Sequence, residues 1–329
     1  MRILGVPKEV RRLGVFIVRR LAQAVPVIFL ISLLLFFMMH AMPGGPLAMY
    51  QHQPGITKAM LEQLKIDYGL NQSIWVQYVD WLSKAIRGDF GYSYVYTVPA
   101  ATMMLQRLPA TLELMFSSFL ITVVFSFLLG IYSAVHQYSA GDYAITAVSY
   151  FGYSMPTFFL GLLVLILFSV HLHWFPSSGM SSAGMPYSLG DRLWHLTLPA
   201  LVLAFYTLAS ESRYVRSSML DVIHQDYIRT ARAKGLGERR VIWRHALRNA
   251  LLPVVTVMVM DAAYLFGGAL VTETIFSWPG MGRLFIQAIM NSDYPVLMVV
   301  VSFLSVVIVL ANILADVLYG VLDPRVQYS

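Results

Sequence analysis

The sequence predicts an all-α, polytopic membrane protein with about six transmembrane helices. Three observations carry that prediction. The 329-residue chain is 58% hydrophobic and only 12% charged, about half the charge of a typical soluble domain. Its apolar runs reach the roughly 20 residues needed to cross a bilayer. Its lysines and arginines gather in a few segments between those runs, as they do when one side of a membrane retains them.

The elements follow in order. Residues 1–20 form a basic lead with Arg2, Lys8, Arg11, Arg12, Arg19 and Arg20. The first span, 21–41, is too long for a signal-peptide core and reads as an uncleaved anchor. Residues 42–112 are too many for a tight turn. They open with "PGGP" (43–46), a helix stop and turn. "TKAMLEQLKIDYGL" then predicts an amphipathic helix with Thr57 as N-cap and Gly69 at its C-terminal turn. "IWVQYVDWLSKAIRGDFG" predicts a second, with an apolar stripe of Ile74, Tyr78, Trp81, Leu82 and Ile86 ended by Gly88. Together these make an external helical cap, either over a pore where it meets a partner or as a lid packed on its own spans.

Residues 113–320 hold spans two to six, placed near 114–135, 143–172, 193–210, 251–275 and 296–320, with a polar loop at 212–250 between the fourth and fifth. The third run is long for one crossing. Pro156 divides it into two pieces, each below the usual minimum, so one helix kinked near Pro156 is expected. Residues 321–329 form a tail.

Charge sets the orientation. With six spans, the 212–250 loop lies on the same side as both termini, and that side collects 16 of the 23 Lys and Arg residues. The positive-inside rule makes it cytoplasmic. The loop cannot lie in lipid, because its seven basic residues from Arg229 to Arg248 would cost on the order of 20 kcal/mol at mid-membrane. A multi-pass placement with both termini and the loop cytoplasmic is therefore expected.

Several chemistries are missing. There is no cysteine, which excludes disulfides and thiolate metal sites. No GxxxxGK[ST], HExxH or GxSxG occurs, so no nucleotide-binding loop or hydrolase signature is present. His171 and His173 stand two apart and would not face one way on a helix. They read as interfacial residues beside Trp174, and no metal site is expected. The net charge of +6 comes without the aromatic platform or fold that nucleic-acid binding needs.

The loop divides at Gly235–Gly237. "DYIRTARAKG" predicts a short helix, with Asp226 as N-cap and Gly235 at the C-terminal turn. Small Ala231 and Ala233 would let a partner approach its backbone. "ERRVIWRHALRNALLP" predicts a second helix, with an apolar face of Ile242, Trp243, Ala246, Leu247, Ala250 and Leu251 and a basic stripe of Arg240, Arg244 and Arg248. Pro253 would mark the bend into span five. Two such helices in water make a docking element. The second also suits contact with lipid headgroups, whereas the first has too little apolar surface for that.

This loop resembles the EAA loop of ABC-importer permeases, whose motif runs EAA, three residues, Gly, a spacer, then I-x-LP. Arg229-Thr230-Ala231 occupies the EAA place, Gly235 the Gly, and Ala250-Leu251-Leu252-Pro253 the I-x-LP. Arg229 replaces the acidic residue and the spacer is long. Both departures resemble the dipeptide/oligopeptide branch, as do "RRL" at 19–21, "PGGP", "GDFG" at 88–91, "GYSMP" at 152–156, "TETIFSWPGMG" at 272–282 and "LYGVLDPR" at 318–325. The chain is thus similar to the B-type permease subunit of a peptide importer.

That resemblance implies a non-catalytic, pore-forming subunit. It would pair with a second homologous permease, two ATPase subunits that bind ATP and Mg, and an extracytoplasmic peptide-binding protein. No cofactor would bind this chain. The coupling contact would comprise Asp226, Tyr227, Arg229, Thr230, Ala231, Arg232, Ala233, Lys234, Gly235 and Leu236. The same machine could serve a nickel chelate, glutathione or an oligosaccharide. An ATPase-independent channel or secondary transporter is the alternative class.

Candidate pathway residues follow from position. Asp261 lies about mid-depth in span five, where an acid is a functional suspect. It could face the pore and meet a peptide amino terminus, form a structural pair, or sit protonated and hydrogen-bonded against a neighbouring span. Tyr153, Ser154 and Met155 flank the Pro156 kink, where exposed backbone is tolerated only inside protein or along a cavity. Glu273, Phe276, Trp278, Pro279 and Gly280 lie at the outer end of span five. They would shape an external gate, with an exposed Trp278, or else anchor at the interface. Asp316, near the inner end of span six, is expected to pair with a cytoplasmic arginine.

Overall fold

The computed structural model describes residues 8–41, 44–51 and 55–322. Arg2, Pro43 of the "PGGP" turn, Arg325 and the tail from 323 onward lie outside them. The fold is helical, and among the described residues the only extended pairing is one isolated bridge between Tyr92 and Pro99. Four helices are long and apolar enough to cross a bilayer: Gly14–Ala41, Ala100–Val135, Leu189–Ile223 and Tyr294–Val317. A bent pair, Ala140–Ser154 with Thr157–His171, makes a fifth if its halves form one span. The run expected at 251–275 lies within a helix spanning Leu247–Ile275.

The chain divides into two compact units. One contains residues 14–111 and 279–310. It takes in α1 (Lys8–Ala41) from Gly14 onward and continues through a short turn to α2 (Ala48–Gln51), α3 (Lys58–Asp67) and α4 (Ile74–Ala85). The expected caps are present: the Thr57 hydroxyl accepts from the Met60 amide at 3.3 Å, and Gly69 adopts φ +67°. Buried Tyr78 of α4 packs with Phe36 of α1 and Met298, and its hydroxyl bonds Ser32 at 2.8 Å. Ile86 departs from the expected stripe, being 77% exposed beyond the last turn of α4. A second cluster joins Ala100 and Met104, at the start of α5 (Ala100–Val135), to α12 (Met281–Met290) and the first turns of α13 (Tyr294–Leu322). Asp293 accepts from the Ser93 hydroxyl and the Tyr94 amide, which fixes the loop before α5.

The other unit holds, among the described residues, 8–13, 112–278 and 311–322. Its centre is α8 (Leu189–Ile223), which packs on α6 (Ala140–Ser154) and on α11 (Leu247–Ile275). The sequence suggested a short fourth span ending near residue 210. Instead α8 runs on to Ile223, because Val215, Ser218 and Met219 are buried under the following loop.

The third run is also corrected. It is not one kinked helix: α6 and α7 (Thr157–Val164, continued as a wide π turn to His171) meet at 109°. Pro156 cannot continue a hydrogen-bonded helix, and the residue before a proline prefers extended backbone. Met155 adopts φ −88°, ψ 128°, and Pro156 becomes the N-cap of α7. Gly152 is also explained, since a Cβ there would sit 2.5 Å from the Phe205 ring. Only glycine lets α6 approach α8 this closely.

Candidate functional site

The loop between α8 and α11 folds as expected in outline. α9 spans Asp226–Ala233, and Gly235 takes φ +75°, a left-handed conformation that side chains resist. Three details differ. The cap position is Gln225, and Asp226 sits in the first turn, where its carboxylate complements the helix dipole. Next, α10 (Glu238–Arg240), a wide π turn at Val241–Ala246 and α11 form one continuous helical run. Pro253 therefore lies inside α11 rather than at its start. Lastly, Ala231 is not on the outer face. It is 7% exposed and packs with fully buried Ile228 against Val241, Ile242, Ala246 and Met219. Helical spacing explains the pair, because residues three apart share a face.

The outer face of α9 consists of Asp226, Tyr227, Arg229, Thr230, Arg232, Ala233 and Lys234, followed by Gly235. Leu236 turns inward against the same core as Ile228. The loop is cross-tied. Asn249 donates to the Tyr227 hydroxyl at 2.7 Å, and Ser218 donates to the Ala250 carbonyl at 2.9 Å. Arg232 donates to both oxygens of Glu238. That guanidinium holds the Glu238 carboxyl below the ordinary glutamate range. Arg240, Arg244 and Arg248 are exposed, and Trp243 is half-exposed beside them.

Asp261 is partly buried on α11 and lines a cavity of about 10 Å³ with Phe119, Thr122, Thr207, Met258 and Glu211. Glu211 was not a sequence candidate. It is 2% exposed on α8 and faces the Asp261 carboxyl. Tyr206, within the electrostatic reach of Asp261, stacks on Tyr153 with centroids 5.4 Å apart. Arg213 lies over the rings of Tyr150 and Tyr153 at 4.8 and 5.2 Å. The structure thus brings the candidates Asp261 and Tyr153 into one neighbourhood through Tyr206. Ser154 is exposed and donates to the Tyr150 carbonyl, and Met155 is the hinge residue of the bend.

A second acidic site lies on the other side of α8. Arg216 makes a two-pronged contact with Asp142, both bonds at 2.9 Å. Asp142 also accepts from Ser133 and from the Tyr138 amide.

The outer end of α11 is more buried than its sequence suggested. Trp278 is 0% exposed and is not an interfacial side chain. Its amide bonds the Glu273 carbonyl at 2.9 Å, and the Arg192 guanidinium covers its ring at 5.2 Å. Arg192 itself is held by Glu113, with Nε to Oε1 at 2.8 Å. Phe276 and Glu273 are buried in the same unit. Interface anchoring by Phe276 and Trp278 does not fit this burial, which leaves the two residues 2% and 0% exposed. In the other unit, buried Gly280 precedes α12, and the Pro279 carbonyl faces Arg107.

Comparison with known proteins gives this arrangement a context. The profile of binding-protein-dependent transport system inner membrane components matches residues 126–328, and the profile of that family's N-terminal region matches 13–115. The chain is 43% identical to the oligopeptide transport system permease protein AppB of Bacillus subtilis, covering 96% of this chain and all of the relative. It is 39% identical to the dipeptide transport system permease protein DppB of Escherichia coli, covering 95% of this chain and 99% of the relative. A chain of the MetNI methionine ABC transporter in an inward-facing conformation shares the fold at TM-score 0.56 and 16% identity, over 67% of this chain and 96% of that one. The buried helical core at 112–278 and the loop seated on it lie largely within the first profile, and the chain belongs to the family of binding-protein-dependent transport system inner membrane components, the non-catalytic permease subunits of ABC transporters.

Proposed function

We propose that this chain is a pore-forming permease subunit of an ATP-driven importer of di- or oligopeptides, working by alternating access. The peptide substrate is suggested by the relatives named for dipeptide and oligopeptide transport. The observation that carries the coupling is the seating of α9. Buried Ile228 and Ala231 fix it to a core built from α8 and α11, and its polar side faces outward. A push on α9 is thereby delivered to both helices. The pusher is an ATPase subunit holding ATP and Mg, one of two beneath a pair of homologous permeases. An extracytoplasmic peptide-binding protein delivers substrate from the other side. ATPase closure biases the pore only if α9 is held differently in the two ATPase states.

The protein resides in the bacterial inner membrane with both termini and the 212–250 loop cytoplasmic. The contact face comprises Asp226, Tyr227, Arg229, Thr230, Arg232, Ala233, Lys234 and Gly235, with Ala231 and Leu236 supporting it from below. Asp261, Tyr153, Ser154 and Met155 belong to the substrate path. Glu273, Phe276, Trp278, Pro279 and Gly280 shape the external gate.

The test uses Ala233→Glu, because Ala233 is exposed and is not part of the loop's core. With the four-subunit complex in proteoliposomes supplied with the peptide-binding protein, peptide uptake and substrate-stimulated ATP hydrolysis should both fall about tenfold or more, equivalent to roughly 1.4 kcal/mol of coupling. The permease should remain folded. Retention of both activities at wild-type level would remove α9 from the coupling path. Substitutions at Ala231 or Gly235 would be poor probes, since one is buried and the other has positive φ.

A further inference from the structure

Glu211 and Asp261 pose a chemical problem that the rest of the chain does not solve. Neither Glu211 oxygen finds a donor among the described residues, and the group it faces is another carboxyl. An ionised carboxylate only accepts. Two of them can approach in a buried place only with a proton or a cation between them. No Lys, Arg or His lines the cavity. The chain therefore supplies two acids, one of them almost fully buried, and no counter-charge.

The cavity limits what can fill the gap. Its volume of about 10 Å³ is close to the minimum for one water-sized group. An –NH3+ head is that size and carries three N–H donors. The acceptors present are the two carboxyls and the hydroxyls of Thr122 and Thr207, which stand 2.9 Å apart. Glu211 is almost fully buried and Asp261 only partly so, so a ligand reaches the pair from the Asp261 carboxyl. Tyr206, 40% exposed and stacked on Tyr153, lies within the field of Asp261. An aromatic face beside a cation adds attraction.

We propose that Glu211 and Asp261 form a subsite for the protonated α-amino group of a peptide in transit, seated between α8 and α11. The ligand assignment rests on the peptide-importer reading above. The geometry adds a carboxyl partner for Asp261 and a size limit. In the empty site a proton bridges the two carboxyls; the ammonium takes its place, and that proton is released to water. Since α8 and α11 also flank α9, occupation of this subsite and movement of α9 act on the same two helices.

The experiment treats the purified complex with dicyclohexylcarbodiimide, which modifies protonated carboxyls in apolar surroundings, and locates adducts by mass spectrometry. An adduct is expected on Glu211 or Asp261. Millimolar dialanine should lower it at least fivefold, whereas N-acetyl-dialanine should leave it unchanged. No adduct, no protection, or equal protection by both peptides would overturn the proposal. ATP-driven dialanine uptake is measured with the same complex reconstituted into proteoliposomes together with its peptide-binding protein. If the wild type fails to take up dialanine, the importer reading falls, while the protection data still decide whether the pair binds an ammonium group. Glu211→Gln should lower dialanine uptake at least tenfold and abolish the protection. Full uptake by that variant would also overturn the proposal.

Discussion

Two acids are buried against α8 little more than a turn apart, and they are served very differently. Asp142 meets the Arg216 guanidinium in a two-pronged contact, with the Ser133 hydroxyl and the Tyr138 amide filling its remaining positions. Glu211 meets another acid, with no donor among the described residues. The first is a joint that ties the start of α6 to α8. The second is a place held open for something the chain does not contain. A buried charge alone does not separate structure from function; the completeness of its hydrogen bonding does.

The comparison can be broken by thermal unfolding of the purified protein in detergent. The largest effect is expected for Asp142→Ala, which leaves Arg216 half-buried and unpaired. Removing one partner of a buried pair costs about 3–5 kcal/mol, so the melting temperature should drop by several degrees. A drop of less than one degree would mean the joint contributes nothing. Glu211→Gln should behave in the opposite way. It removes a carboxyl that has no cationic partner, and the melting temperature should hold or rise while peptide uptake falls. A large loss of stability there would place Glu211 among the structural residues.

The smallest effect is expected in the solvated loop. Arg232 and Glu238 are both partly exposed, and such pairs contribute about 1 kcal/mol or less. Arg232 lowers the Glu238 carboxyl in the folded state. The pair's contribution is therefore complete above the unfolded glutamate value, near ~4.3, and is lost as pH falls through the lower folded value. The difference in melting temperature between wild type and Glu238→Gln should accordingly be small at pH 7 and shrink further below pH 4. A difference that grew on acidification would contradict the assignment.

Much of this was legible in the sequence because it is local. The helix starts and stops around Thr57, Gly69 and Gly235 follow from backbone preferences, and the apolar runs follow from composition. The inward turn of Ala231 was also readable, since Ile228 lies three residues before it on one helical face. Glu211 was not, because the apolar run ends near residue 210. That α8 continues depends on Val215 and Met219 packing under a loop formed later in the chain. Trp278 read as exposed because nothing nearby in sequence announces Arg192 as its cover. Pro156 marked where α6 and α7 separate, but a proline does not specify an angle of 109°.

The ties within the 218–250 loop have a consequence for assembly. Tyr227–Asn249, Arg232–Glu238 and Ser218–Ala250 are all made by the chain with itself. A partner arriving at α9 meets a surface that is already ordered. Binding then forgoes the roughly 0.5–1.5 kcal/mol usually lost for each side chain that must be immobilised. A preorganised socket of this kind favours rapid docking and lets subunits separate and rejoin without refolding the loop each time.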